Sequence, residues 1–240
     1  MPRSRHRIAV TVAVVAASVT MVTTVNTHVA VAAVSGVLFA DNFTGMAPGV
    51  PFAEGERRGQ WIATYNGYGL TQVERDAEKG AVLSQAPQAT SQEDVTHAAA
   101  TTTARQFGNV DITVEQKTVK QTRTPEPNGW EVPWLLWNYT DDDHFYSLVL
   151  KPTGWELGKE DPAYPGAQRY LATGSWPAFN VGSWHTLRIR QVDNKITAWG
   201  DGQLLANVPD RERTYRKGHV GLYTEDAHVH HANIVVRSVS

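Results

Sequence analysis

The stretch "WEVPWLLWNYTDDDHFYSLVLK", residues 130 to 151, sets two runs of large apolar and aromatic residues on either side of three consecutive aspartates. Short apolar runs bounded by turn residues read as strands, and the Asp-rich segment between them reads as the turn of a hairpin. With "TDDD" as the turn, Tyr139 is expected opposite His144, Trp137 opposite Tyr146, Leu135 opposite Leu148 and Pro133 opposite Leu150. Side chains alternate between the faces of a strand, so these residues form one face; Trp134, Leu136, Asn138, Phe145, Ser147, Val149 and Lys151 form the other. The face that carries the leucines is the expected core. The second mixes rings with polar groups, which suits a sugar: flat apolar rings pack on C–H groups while amides and charges reach hydroxyls.

The same alternation runs outward from the hairpin. From Val37 onward the chain offers short strand candidates, among them "VLFADNF", "AVLSQAP", "HAAATTTA", "NVDITVEQKTV", "WHTLRIRQV", "KITAWG", "HVGLYTE" and "NIVVRSV". Turn signals separate them, such as "KG" at 79, "FGN" at 107, "PTG" at 152, "VDNK" at 192 and "GDG" at 200. Many short strands at close spacing imply an all-β sandwich or barrel, and with no linker or repeat the reading is one domain over residues 34–240.

Ahead of it, Arg3, Arg5 and Arg7 precede an apolar run from Ile8 to about Val25, and Val31, Ala32 and Ala33 follow. This reads as a secretory signal peptide over residues 1–33, with an amino-terminal membrane anchor as the alternative. A secreted, extracellular protein with no membrane contact after cleavage is expected. Cysteine is absent, so the domain has to be held by its core or by a bound ion, and thiol chemistry is excluded. The 22 basic and 24 acidic residues are interspersed and give a net charge of -2, which is no nucleic-acid footprint. Neither a Gly-rich phosphate loop nor a G-x-S-x-G elbow occurs, which argues against nucleotide cofactors and serine-hydrolase chemistry.

Four segments together carry a resemblance: "LFADNF", "WLLWNYTDDDHFYSLVL", "GSWHTLRIRQVDNKITAWGDGQLL" and "GHVGLYTEDAHVHHANIVV". They resemble the concanavalin A-like lectin/glucanase superfamily, in particular laminin-G-like and 3-keto-disaccharide hydrolase-type domains. The resemblance implies an antiparallel two-sheet jelly-roll sandwich that acts on or binds an extracellular polysaccharide or oligosaccharide. It also implies a structural calcium ion between first and last strands, for which Asp41 and Asn233 would be the ligands. Two departures stand out: Asn138 occupies a place where the pattern has arginine, and "HHAN" replaces "FDN". No other cofactor is implied.

Function on such a fold has to come from the site. Glycoside hydrolysis needs two carboxylates, and Glu115, Glu131 and Glu156 are the catalytic candidates, with Trp134, Asn138, Phe145, Lys151 and Trp155 as the substrate-binding set. "ERDAE", with Glu74, Asp76 and Glu78 on one parity, is spaced like a glucanase motif. Arg75 and Ala77 interrupt it and Lys79-Gly80 follows, so it reads as a solvated hairpin end. A polysaccharide lyase is an alternative, drawing on Tyr139, His144, Lys151, Arg188 and Asn138; a non-catalytic carbohydrate-binding module is another. In "HVHH", His228 and His230 share a face, with Glu225 and Asp226 close by, and could ligate zinc or copper, but a site needs at least a third ligand and an orienting partner.

Overall fold

A computed structural model describes residues 36–240; the expected signal peptide lies outside the described residues. Every regular element is a strand: β1 (Val37–Asp41), β2 (Arg57–Arg58), β3 (Trp61–Tyr65), β4 (Leu70–Asp76), β5 (Gly80–Ala86), β6 (Ala98–Phe107), β7 (Val110–Gln121), β8 (Trp134–Asp141), β9 (His144–Lys151), β10 (Gly154–Glu160), β11 (Gln168–Gly174), β12 (Trp184–Val192), β13 (Lys195–Gly200), β14 (Gln203–Pro209), β15 (Gly218–Glu225) and β16 (Ala227–Ser238). They pair antiparallel into two sheets. Sheet I has the order β14-β13-β12-β7-β16-β5-β4, with β1 also on β16; sheet II has the order β11-β10-β9-β8-β15-β6-β3-β2. This is the jelly-roll-like sandwich that the resemblance implies.

The core lies between the sheets. Sheet II contributes Trp61, Leu135, Trp137, Tyr146, Leu148 and Leu157, and sheet I contributes Leu83, Ile112, Val114, Leu187, Ile189, Ile234 and Val236. A polar ladder crosses this interior. His231 Nε2 meets Gln85 Oε1 at 2.9 Å and its Nδ1 meets Gln116 Nε2 at 3.0 Å, while Gln85 and Gln116 also donate to the sheet II carbonyls of Leu222 and Trp134. Burial, reinforced by neighbouring His230, pushes the His231 imidazole down to about 3, so it sits in the core as a neutral hydrogen-bonding group.

The deciding hairpin has the expected pairs Leu135–Leu148 and Trp137–Tyr146. Beyond them the register shifts, and Asp141 rather than Tyr139 faces His144. The cause is a bulge at Asn138, whose φ of 50° lies in the left-handed region that asparagine tolerates. Against β15 the stretch from Leu136 to Tyr139 carries one residue more than Gly221 to His219 opposite it, and the parity that follows is reversed. Asn138, expected beside Trp134, turns into the interior and donates to Gln191 Oε1 (3.0 Å) and the Tyr215 carbonyl (2.8 Å); Trp137 Nε1 shares the same Gln191 oxygen at 2.7 Å. Tyr139, expected in the core, moves to the outer face. Gly218 makes room for the bulge, since a Cβ there would stand 2.2 Å from the Asn138 carbonyl carbon.

Strands β2, β3, β4, β10 and β14 escape the sequence reading. In β4 the alternation is present, with Thr71 and Val73 buried, but the opposite parity is Gln72, Glu74 and Asp76. A strand whose outer face is charged looks like a surface turn.

Candidate functional site on the outer face of the second sheet

The outer face of sheet II carries its own apolar layer: Val132, Trp134, Leu136, Tyr139, Phe145 and Val149, with Tyr223 packed against them. Register lines up Thr102, Gly221, Leu136, Ser147, Gly158 and Tyr170 across neighbouring strands. Most of these side chains are small, and none larger fits at Gly158, where a Cβ would come within 2.7 Å of Ser147 Oγ. The flanking rows are bulkier: Tyr223, Trp134, Val149 and Glu156 on one side, Phe145 and Glu160 on the other. The central row is therefore the floor of a trench across the sheet.

Tyrosines and carboxylates line it. Tyr65 and Tyr139 both donate to Asp142 Oδ1, at 3.2 and 2.7 Å, and Tyr223 donates to Glu225 Oε1 at 2.6 Å. The rings of Tyr65 and Tyr223 meet edge to face at 6.5 Å. Burial, with repulsion from Glu225 and Asp143 behind it, pushes the Glu160 carboxyl up to about 7. Burial also raises Glu225; bonds from Tyr223 and Trp130 oppose the shift and repulsion from Asp226 and Glu131 adds to it. Burial lifts Tyr65 and Tyr139 well above the ordinary phenol range, Asp142 adding to both. They stay protonated as hydrogen-bond donors. Trp130, 42% exposed beside Glu225, and Tyr170, 50% exposed, are rings on this face that are open to a ligand.

The expected site residues fall in several places. Trp134 and Phe145 belong to this face but as its packed floor; Trp134 is 6% exposed and its indole N–H is bonded to the Trp130 carbonyl. Lys151 and Glu156 are on the same face, tied to each other in an ion pair. Trp155 lies in the core between the sheets, because β10 alternates Trp155 and Leu157 inward with Glu156 and Glu160 outward. Glu131 is fully buried and paired with Arg123, which also binds Asp226; a carboxylate so enclosed cannot meet a substrate. Glu115 is on the outer face of sheet I, bonded to Lys79 and Asn233. The three candidate carboxylates do not converge.

Nor does the lyase set assemble. His144 pairs with Asp141 at the hairpin tip, and Arg188 binds Asp111 on sheet I. Asp41 and Asn233 border one pocket, yet Asp41 already accepts from the Phe43 amide (2.7 Å) and the Trp61 indole (2.9 Å), and Asn233 is turned to Glu115. The residues that the sequence reading missed had a signal: Glu160 continues the outward parity of Glu156, and Glu225 that of Tyr223.

Comparison with known proteins matches the chain to a family. The sequence profile of the 3-keto-alpha-glucoside-1,2-lyase-like domain matches residues 50–237, and the chain belongs to that family. No curated protein sequence matches it significantly. Among solved structures, the carbohydrate binding module CBM66 from Bacillus subtilis is similar with a TM-score of 0.54 and 14% identity, covering 75% of this chain and 96% of that one. The catalytic domain of an endo-1,3-beta-glucanase (laminarinase) from Thermotoga petrophila is similar with a TM-score of 0.53 and 14% identity, covering 85% and 98%. SCLam, a non-specific endo-beta-1,3(4)-glucanase, has a TM-score of 0.53 and 12% identity over 85% and 91%. At these identities the likeness is one of fold.

Proposed function

We propose that this member of the 3-keto-alpha-glucoside-1,2-lyase-like family cleaves a glycosidic bond in a sugar bound along the sheet II trench, outside the cell that exports it. The observation that carries this reading is Glu160, a carboxyl on the outer face of sheet II that burial pushes up to about 7, with Glu225, also raised by burial, on the same face. A carboxyl held there keeps a proton near neutrality, which is the state a general acid needs. Glu160 donates that proton to the departing glycosidic oxygen, and Glu225 in its ionised form acts as the base. Trp130 offers a ring to the sugar, and Tyr65, Tyr139 and Asp142 bind hydroxyls.

Two chemistries use the same pair. In hydrolysis Glu225 activates water, which adds at the anomeric carbon as the C–O bond breaks. In elimination from a sugar oxidised at C3, the carbonyl acidifies the C2 hydrogen. Glu225 removes it, the C1–C2 double bond forms, and the C1–O bond breaks with proton donation from Glu160. The family description favours the second for an oxidised sugar. Incubation with 3-keto-α-glucosides, their unoxidised parents and polysaccharides, read by reducing ends and by absorbance of an unsaturated keto product, decides between them. Glu160→Gln should lower turnover by about 10²–10⁴. Retention of sugars without any product would make the chain a binding module instead, and no response to any sugar would overturn the reading.

A further inference from the structure

On the other side of the sandwich, the outer face of sheet I brings "ERDAE" and "HVHH" together. Register aligns Trp184, Lys117, His230, Ser84 and Gln72 in one row across β12, β7, β16, β5 and β4. Glu74 follows Gln72 on the same parity of β4, and His228 precedes His230 on β16. One carboxylate oxygen of Glu74 and one ring nitrogen each of His228 and His230 all lie within 4.8 Å of one another. Glu74 Oε2 is 3.4 Å from His230 Nε2 and 4.0 Å from His228 Nε2.

We propose that Glu74, His228 and His230 bind a divalent transition-metal ion of the zinc type, clipping edge strand β4 to β16 across β5. Two imidazoles and a carboxylate are a donor set for such an ion, and bonds of about 2.0–2.1 Å in a tetrahedron put ligand atoms roughly 3.3 Å apart. The Glu74–His230 separation of 3.4 Å already matches, and His228, 4.0 Å from Glu74, has to swing closer by about 0.7 Å, a side-chain adjustment. A second, independent observation points to a ligand. The His230 side chain is only 9% exposed, yet its buried Nε2 has no hydrogen-bond partner while it is aimed at Glu74. Its Nδ1 faces Asp76 Oδ2 at 3.4 Å, so a proton held there leaves the Nε2 lone pair free for a metal, in a carboxylate–histidine–metal relay.

The surroundings agree. Lys117 is paired with Asp76 at 2.5 Å, and Lys79 with Glu115 at 2.6 Å, so neither takes up Glu74. Trp184 lies over this side, its ring 6.4 Å from that of His230, and covers the inner edge of the site. Ser84 Oγ, 2.9 Å from His228 Nε2, would turn its hydrogen to Glu74 when the ion displaces it. The fourth coordination position is left to water.

The test uses the full chain, stripped with chelator and titrated with Zn²⁺ by calorimetry and with Co²⁺ by visible spectroscopy. About one ion per chain, tetrahedral Co²⁺ bands and a rise in Tm on adding Zn²⁺ are expected. Glu74→Gln and His228→Gln, both partly exposed and tolerated by the fold as checked by circular dichroism, should abolish all three. Asp76→Asn should weaken binding by about ten- to a hundredfold, and Glu115→Gln should leave it unchanged. Absence of saturable uptake, or uptake undiminished in both ligand variants, overturns the site. Sugar retention on sheet II should be the same with and without zinc, so the outcome is independent of the proposed cleavage.

Discussion

At the scale of single residues, Glu160 and Trp134 show how position on a strand decides role. A carboxyl raised to about 7 in the folded chain binds a proton that the unfolded chain, with a value near 4.5, has released. Stability from this group is full below about 4.5 and declines as pH rises towards 7. Urea midpoints across that window should fall with pH in the parent and be flatter in Glu160→Gln. Cleavage should also fall as pH rises through about 7, since the acid is then deprotonated. Trp134 looks from sequence like a sugar platform, but its ring is walled in by Leu136, Val149 and Tyr223. Trp134→Ala should cost about 3–5 kcal/mol in urea unfolding, whereas Trp130→Ala should weaken sugar retention with little change in Tm.

At the scale of elements, the β8–β9 hairpin was legible where apolar residues face each other and illegible at the bulge. Nothing in "WNYT" announces that Asn138 takes a left-handed backbone, because its acceptors, Gln191 and the Tyr215 carbonyl, come from distant segments. The consequence is large, because it carries Tyr139 from one face to the other. Asn138→Ala removes two buried hydrogen bonds, with Gln191 Oε1 keeping only its bond from Trp137 and the Tyr215 carbonyl only its bond from Gln191, and places a Cβ-bearing residue without local polar help at φ 50°; a loss of about 2–4 kcal/mol is expected. Asn138→Gly, free of the backbone strain, should recover part of it, read as urea midpoints. β4 teaches the converse. Its charged parity hid the strand, and the ligand that "HVHH" lacks stands two strands away, where only sheet order reveals it.

At the scale of the whole molecule, the alternation and turn spacing sufficed for an all-β sandwich or barrel and the resemblance for the sandwich, while sheet order and long-range ion pairs did not show. Glu131 is the clearest case: beside Trp130 it reads as a candidate acid, but Arg123 joins it to Asp226 and also donates to the carbonyls of Gln92 (2.9 Å) and Val95 (3.0 Å), fastening three loops at one end of the sandwich. Arg123→Met leaves two buried carboxylates without their counter-ion and should cost about 3–5 kcal/mol, measured by urea unfolding.

The placement of β16 governs when the chain can fold. It is the final strand in sequence yet lies in the middle of sheet I, held by β7 on one side and by β5 and β1 on the other. Until it has been synthesised, β5 and β7 have no common neighbour, and the glutamines of the polar ladder wait for His231. Consolidation of sheet I thus waits for β16, the strand that joins its two halves.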